Sequence, residues 1–244
     1  MQNDISGATV WVTGAGSGIG AAMARGFAAA GCRVVLSGRT AASLEEVAGE
    51  IRAAGGDAVA IPVDVLDRDG IGKAVEAILA RTGRLDILCN NAGLNVPRRR
   101  WSEIETDRAG WDAIIDVNIK GAINVIAASL PPMRAQQGGV IINTASWAGR
   151  FYSPVAGVAY GASKHALMAL NASVNAEEGA NGIRATALCP AEVATPLLAR
   201  RPVYDPSLDA TIIQPEDLAD TALYVARMNP NVAVHEITIA PVRR

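Results

Sequence analysis

The sequence predicts an α/β protein with a doubly wound, mostly parallel sheet of about seven strands and helices on both faces. Seven short apolar runs alternate along the chain with longer stretches of helical periodicity. The apolar runs carry β-branched residues at nearly every position instead of at alternate positions, which is typical of strands buried on both faces of a parallel sheet. Strands and helices that alternate in this way, joined by right-handed crossovers, produce a doubly wound sheet.

The elements follow one another without a linker, repeat or low-complexity segment, which indicates a single domain over residues 1–244. In order, the strand runs are TVWVTGA, RVVLSGR, AVAIPVDV, LDILCNNAG, GVIINTAS, IRATALCPA and HEITIAPV. Helices are expected over Gly18–Ala30, Ala42–Ala54, Arg68–Arg81, a long stretch within Glu103–Gln136, Tyr160–Gly179, and from about Pro215 to a point before Pro230. Pro215 suits the first turn of that last helix, because an N–H at that position has no partner within the helix.

Composition and charge argue against several classes of protein. Half of the 244 residues are hydrophobic and the net charge is −2, so the chain can form a sizeable core and has no global charge signature of a nucleic-acid or membrane partner. Three cysteines, Cys32, Cys89 and Cys189, are far apart and odd in number, which fits neither a metal site nor a disulfide framework. No signal-peptide pattern or run of about 18 uninterrupted apolar residues is present. We therefore expect a cytoplasmic protein.

A glycine-rich loop, TGAGSGIG, follows the first strand and opens the first helix. Its glycines let the backbone approach a ligand closely, and the helix N-terminus offers free amides and a positive dipole end to a pyrophosphate. A turn without a ligand is the alternative, but the position between a strand and a helix favours a dinucleotide site. The candidate cofactor-binding residues are Gly14, Gly16, Ser17, Gly18, Ile19 and Gly20.

The end of the second strand bears on the choice of cofactor. An Asp or Glu at this place would bind the ribose 2′-hydroxyl of NAD, but the strand ends VVLSGRT, with Gly38 and Arg39 there instead. A glycine leaves room, a guanidinium offers donors that suit a 2′-phosphate, and the hydroxyl of Ser37 or Thr40 could add a contact. These residues predict NADP, with NAD as the second choice. A surface arginine on a loop is the alternative interpretation of Arg39.

Tyr160 and Lys164 stand four residues apart in a predicted helix, within the stretch VAYGASKHAL. Four residues make about one helical turn, so the two side chains share a face of the helix, about 6 Å apart along its axis. A free phenol has a pKa of about 10, too high for a good base at neutral pH, and a neighbouring ammonium favours the phenolate. The pair therefore fits an ionisable tyrosine, although a solvated helix face could also carry it by chance.

Taken in order along nearly the whole chain, the motifs resemble the compact, single-domain type of the short-chain dehydrogenase/reductase family, which has the Rossmann fold. The resemblance rests on TGAGSGIG at 13–20, DV at 64–65, NNAG at 90–93, Asn118 in DVNIKG, Ser146 in NTASWAG, and Tyr160 followed four residues later by Lys164. It implies that Tyr160 is the general acid/base, that Ser146 polarises the substrate oxygen, and that Asn118 anchors a water in a proton relay. Lys164 would tune Tyr160 and hold the nicotinamide ribose.

The same resemblance implies further cofactor contacts. Asp64 and Val65 would meet the adenine, with a strand-end cap as the alternative for Asp64, and Asn90 would close against the adenosine ribose. The remaining implied contacts are Asn91, Ala92, Gly93, Pro190, Val193 and Thr195.

The chain also departs from the family pattern. It has Pro190-Ala191 where Pro-Gly is usual, it lacks the frequent glycine pair near the last strand, and its spacing from Ser146 to Tyr160 is slightly longer than the commonest one.

The function implied is that of an NADP(H)-dependent oxidoreductase that interconverts a secondary alcohol and a ketone or aldehyde, both small molecules. A cofactor-binding regulator or scaffold on the same fold, an NAD-preferring dehydrogenase, and a lyase or epimerase that uses the same tyrosine are the alternatives. Arg98–Arg100 could attract an acidic substrate, but a solvated loop or a subunit contact is the preferred interpretation. Family members are commonly tetramers, so the resemblance also implies a homo-oligomer, either a tetramer or a dimer.

Overall fold

Seven parallel strands form one sheet in the order β3-β2-β1-β4-β5-β6-β7. The structure, a computed structural model, describes residues 3–200 and 205–242. The strands are β1 (Thr9–Thr13), β2 (Arg33–Ser37), β3 (Asp57–Ala60), β4 (Ile87–Asn90), β5 (Gly139–Thr144), β6 (Ile183–Pro190) and β7 (Glu236–Ile239). The predicted doubly wound α/β fold of Rossmann type is confirmed.

Helices connect the strands and cover both faces of the sheet. Within the described ranges the α-helices are α1 (Gly18–Ala29), α2 (Ala41–Ala53), α3 (Arg68–Thr82), α4 (Arg108–Ile115), α5 (Ala122–Ala135), α6 (Val158–Glu178) and α7 (Pro215–Ala226). Apart from the stretch between residues 103 and 136, the predicted starts and most of the predicted ends lie within two residues of these bounds.

Side chains of β1 show why the strand runs are apolar at nearly every position. Val10 and Val12 pack into one core with residues of α1, α2 and α7, whereas Trp11 packs into a second core with residues of α3 and α5. All three side chains are fully buried. Because successive residues of a strand point to opposite faces, a sheet covered by helices on both sides requires apolar residues at consecutive positions.

The strand order reverses at the centre of the sheet, and this reversal positions the candidate site. Chain connections from β1 lead outward to β2 and β3, while β4 pairs with the other edge of β1 and leads toward β7. The loops after β1 and β4 therefore leave in opposite directions and open a crevice at the carboxyl ends of the strands.

The predicted long helix within Glu103–Gln136 is interrupted. A 3₁₀ turn covers Trp101–Thr106, α4 follows it, and a π-helical turn over Asp116–Gly121 joins α4 to α5. The π turn carries Asn118, whose Oδ1 accepts a hydrogen bond from the Leu94 N–H (2.8 Å) and whose Nδ2 donates to the Leu94 carbonyl (3.1 Å). Apolar periodicity does not reveal such a local change of helical pitch, so the sequence predicted one helical stretch.

The helical run Arg108–Ala135 is long and apolar enough, by length and composition alone, to cross a membrane. Its most apolar window has a mean hydropathy of 1.5, and 39% of that window is buried inside the protein. The inner face packs into the core through Ile114, Val125, Ile126 and Met133. One face of this helical run is thus part of the core, although less than half of its most apolar window is buried.

An ion pair between Glu178 and Arg134 joins the C-terminal ends of α6 and α5. Arg134 Nε donates to Glu178 Oε2 at 2.8 Å and a second guanidinium nitrogen donates to Oε1, while the Glu178 side chain is almost fully buried. The hydrogen bonds from Arg134 lower the pKa of Glu178 from 4.5 to about 2. Because the folded-state pKa is the lower one, the pair stabilises the fold above pH 4.5, and this stabilisation is lost as the pH falls toward 2.

We expect Glu178→Gln to lower the free energy of unfolding at pH 7, and we expect the difference from wild type to be smaller at pH 3. Urea unfolding at both pH values measures the two differences. Glu177→Gln, which changes an exposed carboxyl on the same turn, is the control and should have little effect at either pH. Equal differences for Glu178→Gln at pH 7 and pH 3 would contradict the assigned pKa.

Candidate active site

A cleft of about 600 Å³ lies at the carboxyl ends of the strands and brings together most of the predicted site residues. This volume is within the usual range for ligand-binding clefts. The predicted residues that line it are Gly14, Ser17, Gly18 and Ile19 after β1, Asn91–Gly93 after β4, Ser146 after β5, Tyr160 and Lys164 on α6, and Pro190, Val193 and Thr195 at and beyond the end of β6.

The N-terminus of α1 opens onto the cleft in a form suited to an anion. Helix α1 begins at Gly18, and within the described residues the hydroxyl of the N-cap Ser17 makes no capping hydrogen bond. The first turn carries no acidic side chain. Its backbone N–H groups and the positive end of the helix dipole thus have no carboxylate to compete with a phosphate group.

Two glycines of this loop have backbone conformations that other residues rarely adopt. Gly14 has φ +64° and Gly18 has φ +52°. A Cβ at Gly14 would lie 2.9 Å from the Cα of Ala92, and one at Gly18 would lie 3.1 Å from a side-chain carbon of Thr195. The loop therefore needs glycine at both positions. Gly16 and Gly20 instead allow close packing inside the protein, against Ser43 and against the carbonyl of Gly14.

Asn91 holds the glycine-rich loop against the end of β4. Its Nδ2 donates to the carbonyl oxygens of Thr13 (3.1 Å) and Gly14 (3.4 Å), and its backbone N–H donates to the Thr13 hydroxyl. Asn90 behaves differently, because its side chain is buried and donates to Asn143 Oδ1 at 3.1 Å. The expected contact of Asn90 with the adenosine ribose is therefore wrong.

The end of β2 adjoins the glycine-rich loop, as a Cβ at Gly38 would lie 4.0 Å from the Cα of Gly14. Arg39 and Thr40 are exposed there. Ser37 is fully buried, and its hydroxyl accepts from Trp11 Nε1 (2.9 Å) and donates to the Ile61 carbonyl (2.8 Å). Both bonds are internal to the fold, so the expected hydroxyl contact from Ser37 is excluded.

Asp64 and Val65 lie in the turn after β3. Asp64 Oδ1 accepts a hydrogen bond from the Leu66 N–H at 2.9 Å, which is the strand-end capping role given above as its alternative. The Val65 side chain is buried, and its carbonyl accepts from Asn124 on α5 at 3.0 Å. These contacts fix the turn against α5.

Tyr160 and Lys164 lie one turn apart on α6, as predicted, and the Lys164 ammonium is 5.5 Å from the centre of the Tyr160 ring. Lys164 is buried, and its Nζ donates to the carbonyl oxygen of Thr144 at 2.7 Å. Burial lowers the pKa of Lys164 from 10.5 to about 8, because a charged ammonium is costly to remove from water. A cation that titrates near neutral pH thus lies beside the phenol.

Two buried polar groups of the cleft fit a ligand that carries hydroxyl groups, as a ribose does. Among the described residues, the three N–H donors of Lys164 have a single hydrogen-bond acceptor, the Thr144 carbonyl. The Thr144 hydroxyl is buried and has no hydrogen-bond partner in the described part of the chain. Buried polar groups are normally paired, so both groups favour a polar ligand at this place.

Ser146 begins a 3₁₀ turn, Trp147–Gly149, directly after β5. Its hydroxyl oxygen accepts from the Ala148 N–H at 3.1 Å. The turn packs tightly on α6, since a Cβ at Gly149 would lie 2.8 Å from the carbonyl oxygen of Lys164. This packing fixes the position of Ser146 relative to the helix that carries Tyr160.

Asn118 is buried behind the cleft and connects two of its walls. Besides its two bonds to Leu94, its Nδ2 donates to Ser163 Oγ at 3.0 Å, and that hydroxyl donates to the Tyr160 carbonyl at 2.7 Å. A Cβ at Gly93 would lie 3.3 Å from Asn118 Oδ1 and 3.7 Å from Lys164 Nζ. Asn118 therefore joins the segment after β4 to α6, the helix that carries Tyr160 and Lys164.

The cleft also contains residues that the sequence did not assign to a site. Arg99, from the Arg98–Arg100 run, is buried in the wall, so the preferred interpretation of this run as a solvated loop or a subunit contact is wrong for Arg99, whereas Arg98 and Arg100 are exposed. Asn95 and Glu192 line the cleft as well. Glu192 stands between two predicted contacts and was within reach of motif analysis, but no local pattern distinguishes a buried arginine from its exposed neighbours. Among the described residues, no group of His, Cys, Asp and Glu could hold a metal ion.

Comparisons with known proteins point to one family. A model of the short chain dehydrogenase family matches residues 8–203. A protein described as an uncharacterized oxidoreductase, from Staphylococcus saprophyticus subsp. saprophyticus, is 38% identical over 233 residues, which cover 95% of this chain and 96% of that protein.

Two solved structures share the fold over nearly their full length. A metagenomic short-chain oxidoreductase in complex with NADP is 33% identical with a TM-score of 0.84, covering 99% of this chain and 100% of that one. A 3-ketoacyl-(acyl-carrier-protein) reductase from Brucella melitensis, complexed with NADH, is 30% identical with a TM-score of 0.86, covering 98% and 99%. Fold and cleft together define an α/β protein of Rossmann type with a ligand-sized cleft at the carboxyl ends of its strands. The chain belongs to the short chain dehydrogenase family.

We expect Gly149→Ala to displace the Ser146 turn from α6, because the added methyl group meets the Lys164 backbone. Overpacking of this kind costs about 1–3 kcal/mol of unfolding free energy, measured by urea denaturation, and oxidoreductase turnover should fall with it. Gly72→Ala in α3 is the control, since its Cβ meets nothing within 4 Å and should stabilise the helix by up to about 1 kcal/mol. A Gly149→Ala protein as stable and active as wild type would show that the turn has room to move.

Proposed function

We propose that this protein is an NADP(H)-dependent oxidoreductase that interconverts an alcohol and the corresponding ketone or aldehyde, with Tyr160 as the general acid/base. The observation that carries the proposal is the buried Lys164 ammonium, 5.5 Å from the Tyr160 ring centre, in a cleft that also contains Ser146 and the N-terminus of α1. Family membership supports the same reaction class.

The chemistry follows from the roles of three side chains. When bound, the nicotinamide would accept a hydride from the carbinol carbon or donate one to the carbonyl carbon. In oxidation the Tyr160 phenolate accepts the hydroxyl proton of the alcohol, and in reduction the Tyr160 phenol donates a proton to the carbonyl oxygen. The Ser146 hydroxyl donates a hydrogen bond to the same oxygen and stabilises its developing charge. The positive charge of Lys164 favours the phenolate.

Residues of the chain would hold the cofactor at several points. The N–H groups at the start of α1 suit the pyrophosphate, and the Lys164 ammonium with the Thr144 hydroxyl suits the ribose next to the nicotinamide. Arg39, exposed beside Gly38, suits a 2′-phosphate on the other ribose. The cleft wall near Ser146 includes Trp147 and Val155, which fits a small carbonyl compound with an apolar substituent.

We expect Tyr160→Phe to reduce turnover by about a hundredfold or more while the dissociation constant of the dinucleotide stays nearly unchanged, because only the proton-transferring hydroxyl is removed. Steady-state kinetics on a panel of carbonyl and alcohol substrates, with calorimetric titration of the cofactor, measure both quantities. Wild-type turnover by this variant would eliminate Tyr160 as the acid/base.

The same panel separates the alternatives. Dinucleotide binding by wild type without any turnover would favour a cofactor-binding regulator. Product formation without net change in cofactor absorbance would favour a lyase or epimerase.

We expect Lys164→Met to weaken both turnover and dinucleotide binding, since its proposed roles include the ribose. Because the pKa of Lys164 is about 8, its ammonium is lost as the pH rises through that value. The wild-type affinity for the dinucleotide should therefore decline between pH 7 and pH 9, and the affinity of Lys164→Met should be nearly constant over this range. Equal dinucleotide affinity of wild type and Lys164→Met at pH 7 would show that Lys164 does not contact the ribose.

We expect wild type to bind NADPH more tightly than NADH. No carboxylate ends β2 to repel a 2′-phosphate, and Arg39 supplies a charged donor. Because Arg39 is exposed, its contribution should be on the order of tenfold in affinity, at the lower end for a charged hydrogen bond. Arg39→Leu should weaken NADPH binding alone.

Gly38→Asp should weaken NADPH binding and improve NADH binding. A Cβ at position 38 would be in ordinary van der Waals contact with the Leu44 side chain, at 3.5 Å, so the fold accepts the substitution. Tighter binding of NADH than NADPH by wild type would overturn the cofactor assignment.

We further propose that the protein is a cytoplasmic homo-oligomer, a dimer or tetramer that associates through α5 and α6. A shallow apolar surface between these helices, to which Ile123, Ala127, Leu130 and Leu170 contribute exposed or half-buried side chains, supports this assembly.

A further inference from the structure

The segment after β4 is tied to the loop that precedes α6, and α6 carries Tyr160. Asn95 Nδ2 donates to the Ala156 carbonyl at 2.9 Å, and the Arg99 guanidinium donates to the Val155 carbonyl at 2.8 Å. The Val158 N–H in turn donates to the Arg99 carbonyl at 3.1 Å. Three hydrogen bonds thus join two short stretches of chain that are some 60 residues apart in sequence.

Arg99 contributes most of this connection. Its side chain is 6% exposed, and its guanidinium bonds to the carbonyl oxygens of both Val96 and Val155, one in each stretch. Its aliphatic carbons also lie against Gly157, where a Cβ would overlap the Arg99 side chain and where φ is +87°. A planar guanidinium can bond two carbonyls in a fixed direction, which a flexible ammonium cannot do equally well.

These contacts act at the first turn of the catalytic helix. Gly157 is the N-cap of α6, Val158 is the first helical residue and Tyr160 is the third. The N–H groups of a first turn have no partner within the helix, and Arg99 supplies one of the missing acceptors through its carbonyl. The place where α6 starts, and with it the direction of the Tyr160 side chain, thus depends on where Arg99 lies.

The segment that carries Arg99 is itself held at both ends. Glu103 accepts hydrogen bonds from the N–H groups of Arg99 (2.8 Å) and Arg100 (2.9 Å). Asn118 holds Leu94 through both of its backbone groups. The hydrogen bonds from Asn95 and Arg99 to the loop before α6, which we call the Arg99 tether, therefore join the start of α6 to a segment whose own position is fixed.

We propose that Arg99 is a positioning residue. It holds the start of α6 and the loop of residues 153–157 so that the hydroxyls of Tyr160 and Ser146 can contact the same substrate oxygen. This inference rests on the proposed role of Tyr160. It assigns to Arg99 an effect on the rate of the reaction, and it assigns neither substrate binding nor cofactor binding to it.

The test compares Arg99→Ala and Arg99→Lys with wild type on an uncharged carbonyl substrate. We expect Arg99→Ala to lower kcat by about ten- to a hundredfold, because small displacements of reacting groups are costly in rate. The KM and the dinucleotide dissociation constant should change by less than about threefold. Arg99→Lys should recover only part of the loss, and added methylguanidinium should raise the kcat of Arg99→Ala.

Arg184→Met is the matched control for loss of a buried arginine. Arg184 is also buried and donates to backbone carbonyls, those of Val225, Ala226 and Met228, but it lies at the start of β6, away from the cleft. We expect this variant to lower the unfolding temperature yet keep the wild-type kcat at temperatures where it remains folded. A similar loss of kcat in Arg184→Met would mean that general destabilisation explains the Arg99 result.

Other outcomes also decide the inference. Unchanged kcat in Arg99→Ala, or a raised KM confined to acidic substrates, would overturn it. So would full activity in Arg99→Lys. Amide hydrogen exchange over residues 153–161 provides a readout that does not require turnover, and it should be faster in Arg99→Ala than in wild type. If wild type itself lacks turnover, the proposed function fails. If amide hydrogen exchange over residues 153–161 is unchanged in Arg99→Ala, the claim that Arg99 holds the start of α6 is wrong.

Discussion

The position of α6 on the end of the sheet is the constraint on which the cleft depends. One buried bond, from Lys164 Nζ to the Thr144 carbonyl, fixes the helix to the end of β5. The turn that begins at Ser146 then packs on the same helix through Gly149. Because Ser146 follows β5 and Tyr160 lies on α6, this contact determines how the two side chains face the cleft. The cost of burying the ammonium appears as its lowered pKa, which places its titration near neutral pH.

Buried asparagine side chains also hold α6 against the sheet. Asn90 on β4 donates to Asn143 on β5, Asn143 donates to Asn171 on α6, and Asn171 donates to the carbonyl of His235 just before β7. The three side chains are almost fully buried, and the bonds between them satisfy groups that would otherwise be costly to bury. An asparagine at position 90 is therefore explained by the packing of strands and helix, without a ligand.

Neighbouring residues of one motif have different roles because the fold divides them. In the run Arg98–Arg100 the middle residue is buried and tethers α6, while the outer two are exposed. At the end of β2, Ser37 is bonded inside the protein and Arg39 is exposed to solvent. Successive side chains of an extended segment point to opposite sides, which separates Arg99 from Arg98 and Arg100. Ser37 and Arg39 differ for another reason, because Ser37 ends the buried strand β2 and Arg39 lies in the exposed loop beyond it.

The sequence by itself determined the fold class, the bounds of most helices, and the residues of the glycine-rich loop and of the Tyr160–Lys164 pair. These are local properties, since apolar periodicity, glycine position and four-residue helical spacing do not depend on distant parts of the chain. Only the tertiary structure decided that the helix around Asn118 contains a π turn, that Asn90 is internal, and that Arg99 contacts the loop before α6. Each of these depends on contacts between segments far apart in sequence, and burial of a polar side chain is set by the partners that folding brings to it.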